Sequence, residues 1–226
     1  MNLPTLSGVE TALGTVRRFQ GETPLVRSVL LSRALDADVW LKNETVSLVA
    51  SFKLRGALVA LSRARARGEP GAVTSSTGNH GQGVACAAQL LGGTADVFLP
   101  EIANPVKAAM IRAFGGRIHR IGHDLDAAKG HAIAFAKQEG QAFIDDGESL
   151  DLMEGAGTVG LEVARALPGI DVAFVPMGSG TLVSGCAAAI KALQPRARVV
   201  AVQAKGSPAM VESFHAHAPI ERDIDT

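Results

Sequence analysis

The sequence predicts an α/β fold in which parallel sheets are covered by helices on both faces. Short apolar runs alternate with segments of helical composition along most of the chain. Several joints carry turn residues, such as Asn104-Pro105 and Gly115-Gly116. Repeated strand–helix units favour parallel strands, because each helix returns the chain to the same end of the sheet.

The elements are predicted in chain order from the spacing of apolar residues and from the turn residues between them. Apolar residues spaced at three and four positions predict a helix that starts at Lys53, and Gly92-Gly93 closes the next one. The predicted strands are 72–74, 95–99, 117–121, 142–145, 172–176 and 198–202. The further predicted helices are 84–91, 105–114, 124–139, 154–167, 182–193 and 207–215.

Composition indicates a soluble globular chain and excludes several classes of function. The 226 residues are 47% hydrophobic with a formal net charge of +0, and 4% are aromatic, so neither nucleic acid nor a membrane is expected as a partner. The uncharged run 172–190 is long enough to span a membrane, but Pro176 and its glycines favour a buried strand–loop–helix. Residues 1–14 lack a signal-peptide pattern, and Cys86 and Cys186 fit buried thiols in a reducing compartment, which predicts a cytoplasmic location.

A single lysine, Lys53, stands between a short uncharged run and the start of a helix. Residues 48–50 are apolar, and Phe52 is its direct neighbour. A lysine in such surroundings loses part of its hydration, which leaves more free amine to attack a carbonyl group. The alternative is a surface lysine that opens an amphipathic helix. The heptapeptide 51–57 alone leaves both interpretations open.

Segment 75–83 joins a predicted strand to a predicted helix and is crowded with Ser, Thr, Asn and Gly. Such a loop presents backbone N–H groups and small hydroxyls at a helix N-terminus, where an anion such as a carboxylate is stabilised. The alternative is a simple N-cap turn, which needs only one Ser, Thr or Asn. The density of polar residues and glycines in this segment exceeds what capping requires.

A second glycine-rich loop, 177–185, also follows a predicted strand and opens a helix. Glycines allow the backbone to approach a phosphate closely, and N–H groups with the helix dipole neutralise it. Gly178, Gly180 and Gly185 also fit a loose dinucleotide pattern, which requires an acidic residue at the end of the next strand. That strand ends at Gln203, so a single phosphate is the better interpretation.

Together these three segments resemble the fold-type II pyridoxal-phosphate enzymes, in the branch of the serine/threonine dehydratases and serine racemases. Shorter matches follow in the family's order: Thr23-Pro24-Leu25, Lys42-Asn43-Glu44, and Gly157-Thr158 followed by Glu162. The resemblance covers nearly the whole chain. The segment around Lys53 is its specific part, since threonine synthases usually have Asp where this chain has Leu54.

The resemblance implies a role for each matching residue. Lys53 would bind the aldehyde of pyridoxal 5'-phosphate and later remove the substrate's Cα proton, with Phe52 against the pyridine ring and Asn79 on the ring hydroxyl. The residues implied for the cofactor phosphate are Gly178, Ser179, Gly180, Thr181 and Leu182. Those implied for the substrate are Ser76, Thr77, Asn79 and His80. A helix-start residue bonded to the backbone is an equal alternative for His80.

The reaction implied is β-elimination from serine, threonine or a relative such as 3-hydroxyaspartate, giving a 2-oxo acid and ammonia. A serine or aspartate racemase is the first alternative. Racemases need an acid/base group on each face of the reacting carbon, and Thr77 stands where their pattern has serine, so its methyl group disfavours this reaction. A truncated cofactor-binding remnant without turnover is the second alternative.

The resemblance also bears on metal, assembly and domains. Some members of the branch hold a divalent cation at a glutamate for which this chain has Gln203, so no metal is predicted, and a homodimer is implied. A small domain, 71–147, would be inserted into a large one formed by 1–70 and 148–226, with the cofactor between them. Since the chain stops at Thr226 where the family continues, the large domain is predicted to be incomplete at its C-terminus.

Overall fold

A computed structural model describes residues 2–147 and 149–222 of the chain. The described helices are α1 Leu6–Val16, α2 Val29–Leu35, α3 Lys53–Ala66, α4 Asn79–Leu90, α5 Pro105–Ala113, α6 Leu125–Glu139, α7 Leu150–Ala166, α8 Thr181–Leu193 and α9 Ala209–Ala216. The strands are β1 Leu25–Arg27, β2 Trp40–Lys42, β3 Ala72–Ser75, β4 Ala95–Leu99, β5 Arg117–Arg120, β6 Ala142–Phe143, β7 Val172–Pro176 and β8 Arg198–Val202.

The strands form one four-stranded parallel sheet and two smaller pairs. The parallel sheet has the order β5-β4-β3-β6, and β7 pairs with β8 in parallel. The predicted α/β class with parallel sheets flanked by helices is therefore confirmed. The antiparallel pair β1-β2 was not predicted, because strands of three residues are too short to show a period of two.

Both faces of the four-stranded sheet are buried. Val97 and Leu99 pack into the cluster that contains residues of α3 and α4, whereas Phe98 packs against α6 on the opposite face. Alternate residues of one strand point to opposite faces, so a parallel strand covered on both sides is mostly apolar, and Asp96 is the charged exception in β4. The division into a domain 71–147 and a domain 1–70 with 148–226 stays a prediction, and residue 148 at its boundary lies outside the described residues.

Local signals explain where most elements begin and end. The Asn104 side chain accepts a hydrogen bond from the Val106 backbone, with Pro105 next to it, so α5 starts where the sequence predicts. The predicted helix 154–167 instead begins at Leu150, because the Ser149 hydroxyl caps the earlier turn by accepting from the Leu152 N–H at 3.3 Å.

Helix α7 forms the centre of the fold and touches its neighbours through glycines. A Cβ on Gly155 would lie 2.6 Å from the Cα of Gly56 in α3, and one on Gly160 would lie 2.6 Å from the Cα of Cys186 in α8. These approaches bring backbone against backbone, which no other residue type permits at such distances. The positions of α3 and α8, and thus of the loops that precede them, depend on this packing.

Gly185→Ala is expected to destabilise the protein by on the order of 3 kcal/mol. Its new Cβ would lie 2.0 Å from the Met153 carbonyl oxygen and 2.6 Å from the Gly157 nitrogen, so α7 and α8 would have to separate. Urea unfolding followed by circular dichroism measures the loss.

Gly130→Ala is the matched control, because a Cβ at this position of α6 meets nothing within 4 Å. It should keep or raise the unfolding midpoint, since alanine favours a helix over glycine. Equal midpoints for the two variants would contradict the close packing of α7 on α8.

The uncharged run 172–190 is divided between β7, a loop and most of α8, as the sequence predicts. In the described part of the chain, no helix has the length and apolar character needed to cross a membrane. Cys86 and Cys186 are both free and buried. Burial raises the pKa of the Cys86 thiol to about 11 and that of Cys186 to about 12, so both stay protonated at neutral pH.

Candidate active site

Lys53 is the first residue of α3, and its side chain is 17% exposed. Its Nζ lies 5.1 Å from the centroid of the Phe52 ring. On the other side, a Cβ on Gly83 of α4 would lie 3.0 Å from the Lys53 carbonyl carbon, so only glycine lets α4 pack this closely. The Lys53 backbone is therefore held at a helix start against α4, and the Phe52 ring lies near its amine.

Two residues further on, Arg55 is fully buried in a polar cluster that fixes the start of α3. Its guanidinium donates to both carboxylate oxygens of Glu44, at 2.8 and 2.9 Å, and to both of Glu162, at 2.8 and 3.0 Å. It also donates to the hydroxyls of Thr23 and Thr158, at 3.0 Å each. Paired bidentate contacts of this kind restrict both position and orientation.

The polar cluster around Arg55 also contains residues of the three shorter family matches, for which the sequence predicted no function. Lys42 Nζ contacts Glu162 at 2.6 Å and donates to the Thr23 carbonyl at 2.7 Å, and Arg17 contacts Glu162 at 2.9 Å. Burial opposes ionisation of Glu162, but hydrogen bonds from Arg55 outweigh it and lower the pKa of this carboxyl. These matches therefore converge on Arg55.

Of the segment 75–83, only residues 76–78 form a turn before α4; residues 79–83 are already helical, so the helix starts earlier than the predicted residue 84. The Gly78 N–H donates to the Ser76 hydroxyl at 3.2 Å, and a Cβ on Gly81 would lie 2.7 Å from the Ser76 carbonyl oxygen. Asn79 opens α4 and is exposed, with its Oδ1 accepting from Lys107 Nζ at 3.4 Å. This contact leaves the amide nitrogen of Asn79 as the group that can donate to a ligand. Thr77, half-buried, lies in the same turn.

His80 is buried, with 2% of its surface exposed, and its Nε2 lies 3.1 Å from the Ile144 carbonyl oxygen. Burial lowers the pKa of His80 despite the nearby charge of Asp146, so the ring is neutral at pH 7 and Nε2 carries the hydrogen that is donated. The structure thus shows a backbone contact of His80, as one of its two interpretations expects. Its role toward a substrate carboxylate stays a prediction.

The glycine loop before α8 has the features of an anion site. Gly180 has a φ of +95°, a conformation that strongly favours glycine, and no side chain caps the first turn of α8 in the described residues. The hydroxyls of Ser179 and Thr181 both donate to the backbone carbonyl of Asp146, at 2.9 Å each. Gly178 and Ser179 are exposed, and Leu182 is half-buried.

Asp146 contacts both Lys53 and the glycine loop, and the sequence did not predict it as a site residue. Its carboxylate contacts Lys53 Nζ and lies 3.4 Å from His80 Nδ1. The surroundings of Lys53 therefore include a carboxylate as well as the predicted Phe52 ring. The sequence did contain a signal for Asp146, because Asp145-Asp146-Gly147 follows β6 directly. β6 pairs in parallel with β3, and the residues after neighbouring parallel strands meet at one edge of the sheet.

The fold and the site match the family of pyridoxal-phosphate dependent enzymes. The model of the family described by that name matches residues 16–226, and the chain belongs to this family. The fold-type II assignment made from the three segments is confirmed.

Among similar proteins are two threonine dehydratases and a racemase. The threonine dehydratase of Nicotiana attenuata is 35% identical over 86% of this chain, which spans 32% of that protein. A catabolic L-threonine dehydratase of Staphylococcus aureus is 30% identical over 100% of the chain, which spans 66% of that relative. The structure of maize serine racemase superimposes with a TM-score of 0.94 at 27% identity, covering 99% of this chain and 69% of the racemase.

The residues present fit the cofactor. Lys53 supplies an amine, Phe52 an apolar ring beside it, and Asn79 an amide donor. In the described residues, no side chain caps the start of α8, so its backbone N–H groups and the hydroxyls of Ser179 and Thr181 can donate to a phosphate. Asp146 contacts both these hydroxyls and Lys53. A group with an aldehyde at one end and a phosphate at the other matches this pair of sites.

Proposed function

We propose that this chain is a pyridoxal-phosphate dependent ammonia-lyase that eliminates the β-hydroxyl of an amino acid such as threonine or serine, giving a 2-oxo acid and ammonia. The observation that carries the proposal is the placement of the Lys53 amine and the glycine loop on either side of Asp146. The threonine dehydratases among the similar proteins support the choice of reaction.

Each part of the site has a task in this proposal. When bound, pyridoxal phosphate stabilises negative charge at the substrate Cα. Lys53 Nζ accepts the Cα proton, and the polar turn of Ser76, Thr77 and Asn79 orients the substrate carboxylate beside the N-terminus of α4. Buried His80 fixes the start of α4, next to this turn, by its hydrogen bond to the Ile144 carbonyl.

A racemase is the second candidate, favoured by the superposition on maize serine racemase. Thr77 lies in the turn beside Asn79 and carries a hydroxyl that a second proton transfer requires, but its methyl group crowds the same position. The lyase is therefore preferred. An amino-acid substrate, a homodimeric assembly and a cytoplasmic location belong to the same proposal.

A panel of β-hydroxy amino acids tests the proposal. The protein, saturated with pyridoxal phosphate, is given L- and D-serine, L-threonine and 3-hydroxyaspartate, and ammonia, 2-oxo acid and chirality are scored separately. We expect equal amounts of ammonia and 2-oxo acid from L-threonine or L-serine. Inversion without ammonia would replace the lyase by the racemase, and binding without either product would identify a remnant without turnover.

A further inference from the structure

Asp146 contacts both ends of the candidate site through different atoms. Its side-chain carboxylate contacts Lys53 Nζ, whereas its backbone carbonyl accepts hydrogen bonds from the Ser179 and Thr181 hydroxyls, at 2.9 Å each. Lys53 lies 93 positions before Asp146 in the chain, and Thr181 lies 35 positions after it. A displacement of this one residue therefore changes the surroundings of the lysine and of the glycine loop together.

The backbone just before Asp146 is anchored, but Asp146 itself is not buried. The Ile144 carbonyl accepts from the Thr74 hydroxyl at 2.8 Å and lies 3.1 Å from Nε2 of buried His80. The side chain of Asp146 is 37% exposed. Residue 144 is thus tied to β3 and α4, and a movement of position 146 need not disturb the sheet.

Binding of the cofactor requires both partners of Asp146. An ammonium that is paired with a carboxylate has no lone pair, so Lys53 must first give a proton to solvent. Its amine then attacks the aldehyde carbon, a carbon–nitrogen double bond forms, and the aldehyde oxygen leaves as water. At the other end, the phosphate oxygens need the hydroxyls that the Asp146 carbonyl holds.

We propose that Asp146 couples the two ends: a phosphate at the glycine loop takes the hydroxyls of Ser179 and Thr181 from the Asp146 carbonyl, and this loosens the ion pair and releases the Lys53 amine. The inference rests on the proposed function, since it assumes that Lys53 binds the aldehyde. Coupling of this kind is a differential free energy between two sites, so it is measurable with two separate ligands.

Pyridoxal and inorganic phosphate, used as separate probes, test the coupling. The full chain, treated with hydroxylamine to remove bound cofactor, is mixed with pyridoxal, reduced with borohydride at timed intervals, and mapped for label on Lys53. We expect inorganic phosphate to speed labelling of Lys53 in the wild type by up to about fivefold, because an ion pair with one exposed partner contributes up to about 1 kcal/mol. Asp146→Asn should label rapidly without phosphate and gain less than about twofold from it.

Asp145→Asn is the matched control, because Asp145 carries the same charge one position away but pairs with Lys129 at 2.7 Å. It should respond to phosphate as the wild type does, with sodium chloride at equal ionic strength having no such effect. Equal labelling rates with and without phosphate in the wild type would overturn the coupling, even if a variant failed to fold. So would full acceleration in Asp146→Asn, whereas lack of label on Lys53 in every protein would overturn the proposed function instead.

Discussion

Lys53→Arg is expected to abolish covalent capture of pyridoxal phosphate and to lower the release of 2-oxo acid by at least about a thousandfold. Arginine keeps the positive charge that faces Asp146, so the ion pair at the start of α3 is preserved. Its guanidinium stays protonated at any working pH, however, and can neither attack an aldehyde nor accept the Cα proton. Borohydride reduction with peptide mapping and a coupled 2-oxo acid assay measure the two losses.

Lys129→Arg is the control for this variant. Lys129 is a second lysine paired with an aspartate, Asp145, but it lies on α6 with 41% of its side chain exposed. Its replacement should leave both capture and turnover unchanged. Turnover retained by Lys53→Arg, or a label found on another lysine of the folded protein, would refute the assignment of Lys53.

Glu162→Gln is expected to destabilise the fold by on the order of 3 kcal/mol, because it removes one partner from a buried ion cluster. The Glu162 side chain is 1% exposed and contacts three cations, Arg55, Arg17 and Lys42. Glutamine has nearly the same shape but no charge, so the buried guanidinium of Arg55 would keep only Glu44 as a counter-ion. The free energy of unfolding at pH 7, from urea denaturation, measures the effect.

Glu10→Gln provides the comparison at the surface. Glu10 also pairs with an arginine, Arg165, but both side chains are about half exposed, at 45% and 50%. Exposed pairs of this kind contribute less than about 1 kcal/mol. Similar losses in the two variants would mean that the cluster around Arg55 does not depend on burial.

The cluster also makes stability depend on pH in a defined direction. The pKa of Glu162 is lower in the folded protein than in the unfolded chain, so unfolding takes up a proton at acidic pH. Its contribution is complete above the ordinary glutamate pKa of about 4.3 and is lost as pH falls through the lower folded value. The difference between wild type and Glu162→Gln should therefore shrink as the pH falls below about 4.3.

Much of the secondary structure was predictable because its signals are local. Strands 95–99, 172–176 and 198–202 have the predicted bounds, since each is a short apolar run between turn residues. The start of α7 was mispredicted, because Ser149 caps the helix and α7 begins at Leu150, four residues before the predicted start at 154. For the site, the pattern predicted an amine and two loops that bind anions, but not what lies between them.

The sequence by itself determined the order of the strands and helices from α3 onward, the resemblance to a cofactor-dependent family and the choice of Lys53 as the candidate lysine, because these depend on neighbouring residues. Only the tertiary structure showed that Arg55 joins Glu44 to Glu162, and that Asp146 links Lys53 to the glycine loop. The partners of Arg55 lie up to 107 positions from it along the chain, and no local pattern shows which distant side chains share a buried space. Their meeting is decided by the glycine contacts of α7 with α3 and α8, which set how closely these helices pack.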